Sequence, residues 1–83
     1  MYEVRILRPA VKDIVGLPSG YPRLISEHID RLAANPRPTD SKKLRGQQQY
    51  SLRVGVYRIL YEIDDEAQTV TVYRVKHRRE AYR

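Results

Sequence analysis

Apolar and polar residues change their spacing several times along this chain, and each change marks an element. Tyr2–Leu7 alternates Tyr2, Val4 and Ile6 against Glu3, Arg5 and Leu7, the period of a strand. Pro9 suits the first turn of a helix, where its missing N–H costs nothing, and Val11, Ile14 and Val15 then form a narrow apolar face. Gly16 ends that helix, and Leu17–Gly20 is a turn. A second helix is expected from about Tyr21 to Asn35, with Leu24, Ile25, His28, Ile29 and Leu32 on one side and an i, i+4 pair of Glu27 and Arg31 on the other. Pro36 and Pro38 stop it. Among such neighbours His28 reads as a core or interface residue rather than a catalyst.

After the polar stretch Arg37–Lys43, three runs rich in Val, Ile, Tyr and Leu read as strands: Tyr50–Val54, Tyr57–Ile63 and Thr69–Val75. The order strand, helix, helix, three strands predicts one α+β domain over residues 1–83. In it, a two-helix antiparallel hairpin packs on a small, mainly antiparallel four-stranded sheet. The link Gly55–Val56 is two residues long and begins with glycine, the chemistry of a type II′ hairpin.

That hairpin sets a register. Val54 pairs with Tyr57, Arg53 with Arg58 and Leu52 with Ile59, and alternation then sorts the side chains into two faces. Tyr50, Leu52, Val54, Tyr57, Ile59 and Tyr61 share one face and cover the helices. Ser51, Arg53, Arg58, Leu60 and Glu62 share the other. Arg58, which interrupts the apolar run VGVYRILYEID, therefore projects from the open face opposite a second arginine. Like charges directly opposed on a sheet destabilise it, which is reasonable in a surface held for an anion. The plain alternative is that both guanidinium groups spread into water or pair with Glu62 or Glu80.

Charge sharpens the picture. The formal net charge is +6 over 83 residues, and residues 42–61 hold Lys42, Lys43, Arg45, Arg53 and Arg58 with no acid. Such a field favours nucleic acid or an acidic protein partner. With no cysteine, neither a disulfide framework nor a thiolate metal site is available. No run approaches the ~20 apolar residues of a membrane span, and MYEVRILRPA lacks the apolar core of a signal peptide, so a soluble cytoplasmic protein is expected. The C-terminal VKHRREAYR adds Lys76, His77, Arg78, Arg79, Tyr82 and Arg83 after the last strand. Lys, Arg, His and Tyr together are an inventory for cutting RNA. The cut needs a base for the 2′-hydroxyl proton, cations for the charged phosphorane and an acid for the 5′-oxygen. No metal site and no cofactor is expected.

KLRG (43–46), YSLRVGVYRILYEID (50–64) and V-x-HRREAY (75–82) resemble the RelE family of bacterial toxins, in the RelE/ParE superfamily. The most specific part is R-V-G-x-Y-R-[IL]-x-Y combined with a closing H-R-x-x-x-Y. The resemblance implies a toxin that binds the ribosomal decoding site and cleaves messenger RNA by 2′-hydroxyl attack on the adjacent phosphate. It also implies restraint by a cognate RelB-like antitoxin, through which alone the toxin meets operator DNA. Carried over by residue, Arg58 matches the arginine that stabilises the phosphorane, Arg78 a second catalytic arginine, and Tyr82 the tyrosine that orients or stacks on the nucleotide.

Arg53 and Ser51 stand where well-known members carry lysines. Arg53 keeps the charge, but an arginine is no base, and Ser51 keeps none. His77 is the natural substitute for the base, with Glu62 and Glu80 as other candidates. Lys43, Arg45, Ser51, Lys76, Arg79 and Arg83 are expected to bind RNA. Two rivals share the fold: a ParE-like inhibitor of DNA gyrase, and a binding protein whose catalysis has decayed.

Overall fold

In a computed structural model that describes residues 1–44 and 48–80, the elements are β1 (Glu3–Ile6), α1 (Arg8–Val15), α2 (Tyr21–Arg31), β2 (Ser41–Lys43), β3 (Gln49–Val54), β4 (Tyr57–Asp64) and β5 (Thr69–His77). The expected α+β fold is present, with five strands rather than four. The strands order β1-β5-β4-β3-β2; β1 runs parallel to β5, and every other neighbouring pair is antiparallel. The extra strand is β2. Its sequence, Ser-Lys-Lys, has no apolar alternation, and it holds the sheet edge, where lysines protect against further pairing.

The core lies between the helices and one face of the sheet. Ile25, Ile29 and Leu32 of the second helical segment meet Tyr50, Leu52, Val54, Ile59, Tyr61, Ile63, Val70, Val72 and Val75. Each buried aliphatic side chain contributes about 1.5–3 kcal/mol by leaving water. The first helix packs differently from its expected face. Ala10 and Ile14 are its buried pair, one turn apart, while Val15 is 76% exposed. α2 also ends early. From Leu32 to Ala34 the amides bond three residues back instead of four, so the last turn tightens before Pro36. Glu27 pairs with Arg23 at 3.5 Å, not with Arg31.

The hairpin at Gly55–Val56 matches its expected register, Val54↔Tyr57, Arg53↔Arg58 and Leu52↔Ile59. Gly55 takes φ +61°, while Val56 keeps a negative φ, as a type II′ turn requires. Tyr21 at the start of α2 lies over this turn. A Cβ on Gly55 would come within 3.0 Å of its hydroxyl, so conformation and space both select glycine. Tyr21 and Tyr57 meet edge to face at 4.8 Å, which ties the helix start to the hairpin.

Between Leu60 and Tyr61 the β4–β5 register shifts by one residue. Leu60 pairs with Arg74 but Tyr61 pairs with Val72, leaving Tyr73 as the extra residue of a bulge. Below the bulge Val70 and Val72 face the core; above it Val75 does, and His77 shares its side of the strand. Asp13 of α1 fastens the upper segment. Its Oδ2 accepts from the Val75 amide at 2.9 Å and from Arg74 Nε at 2.8 Å, and its Oδ1 accepts from Arg74 Nη2 at 3.1 Å. Partial burial pushes the Asp13 carboxyl up, but these donors outweigh it and hold it below the usual carboxylate range. Among the described residues, no helix is long and apolar enough to cross a membrane.

Candidate functional site

The face of the sheet away from the helices carries a row of three cations in register. Arg53 of β3 stands opposite Arg58 of β4, and Arg58 stands opposite Lys76 of β5. Arg58 and Lys76 are half-buried and Arg53 is exposed. No position in this row is acidic. Directly opposed like charges on a sheet repel each other, by about 0.2–1 kcal/mol per pair. Two pairs further along lies the next row on this face, Lys42–Ser51–Leu60–Arg74. Its outer cation, Arg74, is matched by Asp13.

Ser51 and Leu60 sit at the centre of that second row, only 2% and 7% exposed. Ser51, expected to bind RNA, is buried in this structure. Lys43 lies apart from the arginine row. It opposes Tyr50, on the helix side of the sheet, whereas Lys42 opposes Ser51 on the arginine face. Lys42 was the basic residue missed, because the polar run gave no strand from which to read its face.

The bulge decides between Lys76 and His77. Lys76 opposes Arg58, while His77 opposes Tyr57 and shares its face. The His77 ring packs edge to face on Tyr57 at 5.7 Å, and its Nδ1 accepts the Arg79 amide at 3.3 Å, which leaves the neutral ring's proton on Nε2. His77 thus stands on the opposite side of the sheet from Arg53 and Arg58, contrary to its expected place as their base. Unbroken alternation from Val70 would have reversed the two residues.

Arg78 follows directly. Its amide donates to the Val56 carbonyl at 2.7 Å, which holds the segment after β5 against the hairpin turn beside Arg53 and Arg58. The Glu80 amide then closes a turn onto the His77 carbonyl at 2.8 Å. Arg78 and Arg79 are both exposed. Arg45, Tyr82 and Arg83 lie outside the described residues. Glu62 occupies the arginine face two residues along β4 from Leu60, where it accepts from Gln49 Nε2 at 3.3 Å. Among the described residues, no three His, Asp or Glu side chains gather in a way that could hold a metal ion.

What this face can do follows from its donors. Guanidinium groups present planar forks that fit the oxygens of a phosphate, and a lysine adds a mobile point charge. The turn segment carrying Arg78 borders the same row.

The sequence matches the family described as ParE toxin of type II toxin–antitoxin system, parDE, over residues 4–82. It is 38% identical to Toxin RelG of Mycobacterium tuberculosis, an alignment covering 99% of this chain and 97% of that protein. Among solved structures, the archaeal RelE–RelB complex from Pyrococcus horikoshii contains a chain with TM-score 0.85 and 30% identity, covering 96% of this chain and 98% of that one. The toxin–antitoxin complex RelBE2 from Mycobacterium tuberculosis contains another, with TM-score 0.70, 36% identity, and coverage of 92% of this chain and 96% of that one.

Proposed function

The chain belongs to the ParE toxin family of type II toxin–antitoxin systems, within the RelE/ParE superfamily, and from that premise we infer that it is a ribosome-dependent endoribonuclease that cuts messenger RNA. The observation that carries this reading is the row Arg53–Arg58–Lys76 with Arg78 held at its end. In the reaction the 2′-oxygen attacks the adjacent phosphorus and the bond from phosphorus to the 5′-oxygen breaks. The products are a 2′,3′-cyclic phosphate and a 5′-hydroxyl. Charge grows on the non-bridging oxygens as the phosphorane forms. Arg53, Arg58 and Arg78 are assigned to oppose it with their guanidinium donors. These groups supply the positive charge for which other nucleases use a metal ion. Tyr82 is assigned to stacking on the nucleotide, and Lys42 and Arg79 to the flanking backbone.

The partner is a cognate antitoxin of the RelB kind, because relatives of similar sequence are solved as RelE–RelB complexes. A basic face on a small domain suits an acidic segment that orders on binding. Operator DNA is reached through that antitoxin.

The test uses purified ribosomes programmed with a short message. Cleavage by the wild-type protein that is lost with Arg58→Ala supports the reading. DNA breaks dependent on gyrase, with the message intact, would instead favour gyrase poisoning, an activity that the ParE name of the matching family brings into play. Neither outcome would leave a binding protein.

A further inference from the structure

The reaction above leaves one proton without a destination. The 2′-hydroxyl must lose its hydrogen as it attacks, and a guanidinium cannot take it. The arginine face carries two lysines on its strands, Lys42 and Lys76. Lys42 lies on the edge strand, with β3 between it and β4, and one row away from Arg58. Lys76 is directly opposite Arg58, where paired Cα atoms stand about 4.5–5.5 Å apart. His77 faces the other side of the sheet, against Tyr57.

We propose that Lys76 is a catalytic residue: set opposite Arg58 in register by the β5 bulge, it takes the 2′-hydroxyl proton on its amine. This rests on the ribonuclease reading. The neutral amine removes the proton as the bond from the 2′-oxygen to phosphorus forms. The bond to the 5′-oxygen breaks, and that oxygen takes a proton from water. The resulting ammonium returns its proton to solvent before the next turnover. Cations face Lys76 from β4 (Arg58) and, beyond it, β3 (Arg53). From α1 the Asp13 carboxylate feels the Lys76 charge, but it is already bonded to Arg74 and the Val75 amide. Glu80, in the turn after β5, acts on Arg74.

Single-turnover cleavage on programmed ribosomes, measured against pH, separates the roles. Lys76→Ala should slow the cut by about 10²–10⁴-fold, the range for losing a positioned base. Lys76→Arg keeps the charge and cannot accept a proton, so it should be as slow as Lys76→Ala, and both should lose the wild-type rise with pH. Unchanged melting temperature and ribosome binding of Lys76→Arg show that folding is not the cause. His77→Gln should follow the wild-type profile. Recovery of rate in Lys76→Arg would make the residue an electrostatic helper only and overturn the proposal. Near-wild-type cleavage by Lys76→Ala, or loss of the pH dependence in His77→Gln, would overturn it as well. If the wild-type protein leaves the message whole, the ribonuclease reading fails and takes this inference with it. If Arg58→Ala abolishes cleavage while the Lys76 variants cut normally, only the inference fails.

Discussion

The two ends of this sheet use arginine in opposite ways. At the hairpin end, Arg53, Arg58 and Lys76 stand side by side in register, cation against cation. At the far end, Arg37 donates to both oxygens of Asp65 at 3.2 and 2.8 Å, donates to the Tyr50 hydroxyl at 3.0 Å and lies over the Tyr50 ring. The Tyr2 hydroxyl completes that clasp on Asp65 at 2.6 Å, and the Tyr61 hydroxyl donates to the Pro36 carbonyl at 2.7 Å. The far end joins β1, the segment after α2, β3 and the β4–β5 loop. Its charges are matched, so it serves the fold. The hairpin end repeats one sign of charge across its register, the arrangement on which the proposed phosphate seat rests. An arginine is thus read for function by what stands opposite it in register, not by its exposure.

The contrast breaks most sharply with Arg58→Ala. Removing one preorganised donor should slow message cleavage by about 10²–10³-fold with little change in melting temperature, because the side chain lies outside the core. A folded variant that cuts normally would take Arg58 out of the site.

Asp13→Ala joins the two themes, since Asp13 holds the β5 segment that carries Lys76. We expect cleavage to fall by about 10–100-fold, through the rate more than through ribosome affinity, because a small misplacement is enough. A loss confined to affinity would show that Asp13 does not position the reacting groups.

Gly55→Ala should destabilise the fold by about 1–3 kcal/mol, since its φ of +61° and the nearby Tyr21 hydroxyl both resist a Cβ. A denaturant midpoint equal to wild type would refute the steric reading of this turn.

Smallest are the effects at the matched end. Arg37→Ala should lower the melting temperature modestly and leave cleavage untouched, because the pair is partly exposed and screened by water. Hydrogen bonds from Arg37 and Tyr2 hold the Asp65 carboxyl below the usual range. Its contribution is therefore complete above the ordinary carboxylate pKa of about 3.9 and is lost as pH falls through the depressed folded value. Tyr61 behaves in the opposite sense. Burial pushes its phenol up to about 12 from 10.0, so this part of the stability is complete below pH 10 and lost as pH rises toward 12. Acid and alkaline melts of Arg37→Ala and Tyr61→Phe, compared with wild type, check the two signs.

Much of this was legible in the residues themselves, and for local reasons. Glycine first in a two-residue link sets the β3–β4 register, because only a turn of matching twist closes so short a loop; Arg53 opposite Arg58 then follows by counting. The core face of both strands follows from the same alternation. What the chain could not show locally depended on partners distant in sequence. β2 is a strand only because β3 offers it an edge. Ala10, not Val11, became the buried neighbour of Ile14, because the docking of α1 on β5 chose the face of a helix with apolar residues on both sides. The extra residue at Tyr73 is invisible to alternation, since a bulge is a mismatch between two strands rather than a property of one. That mismatch turned His77 toward Tyr57 and put Lys76 beside Arg58. Sequence determined which cations the chain carries and how the arginines pair. The tertiary structure decided which residue of the last strand joins them, because register across a sheet is settled by two strands together.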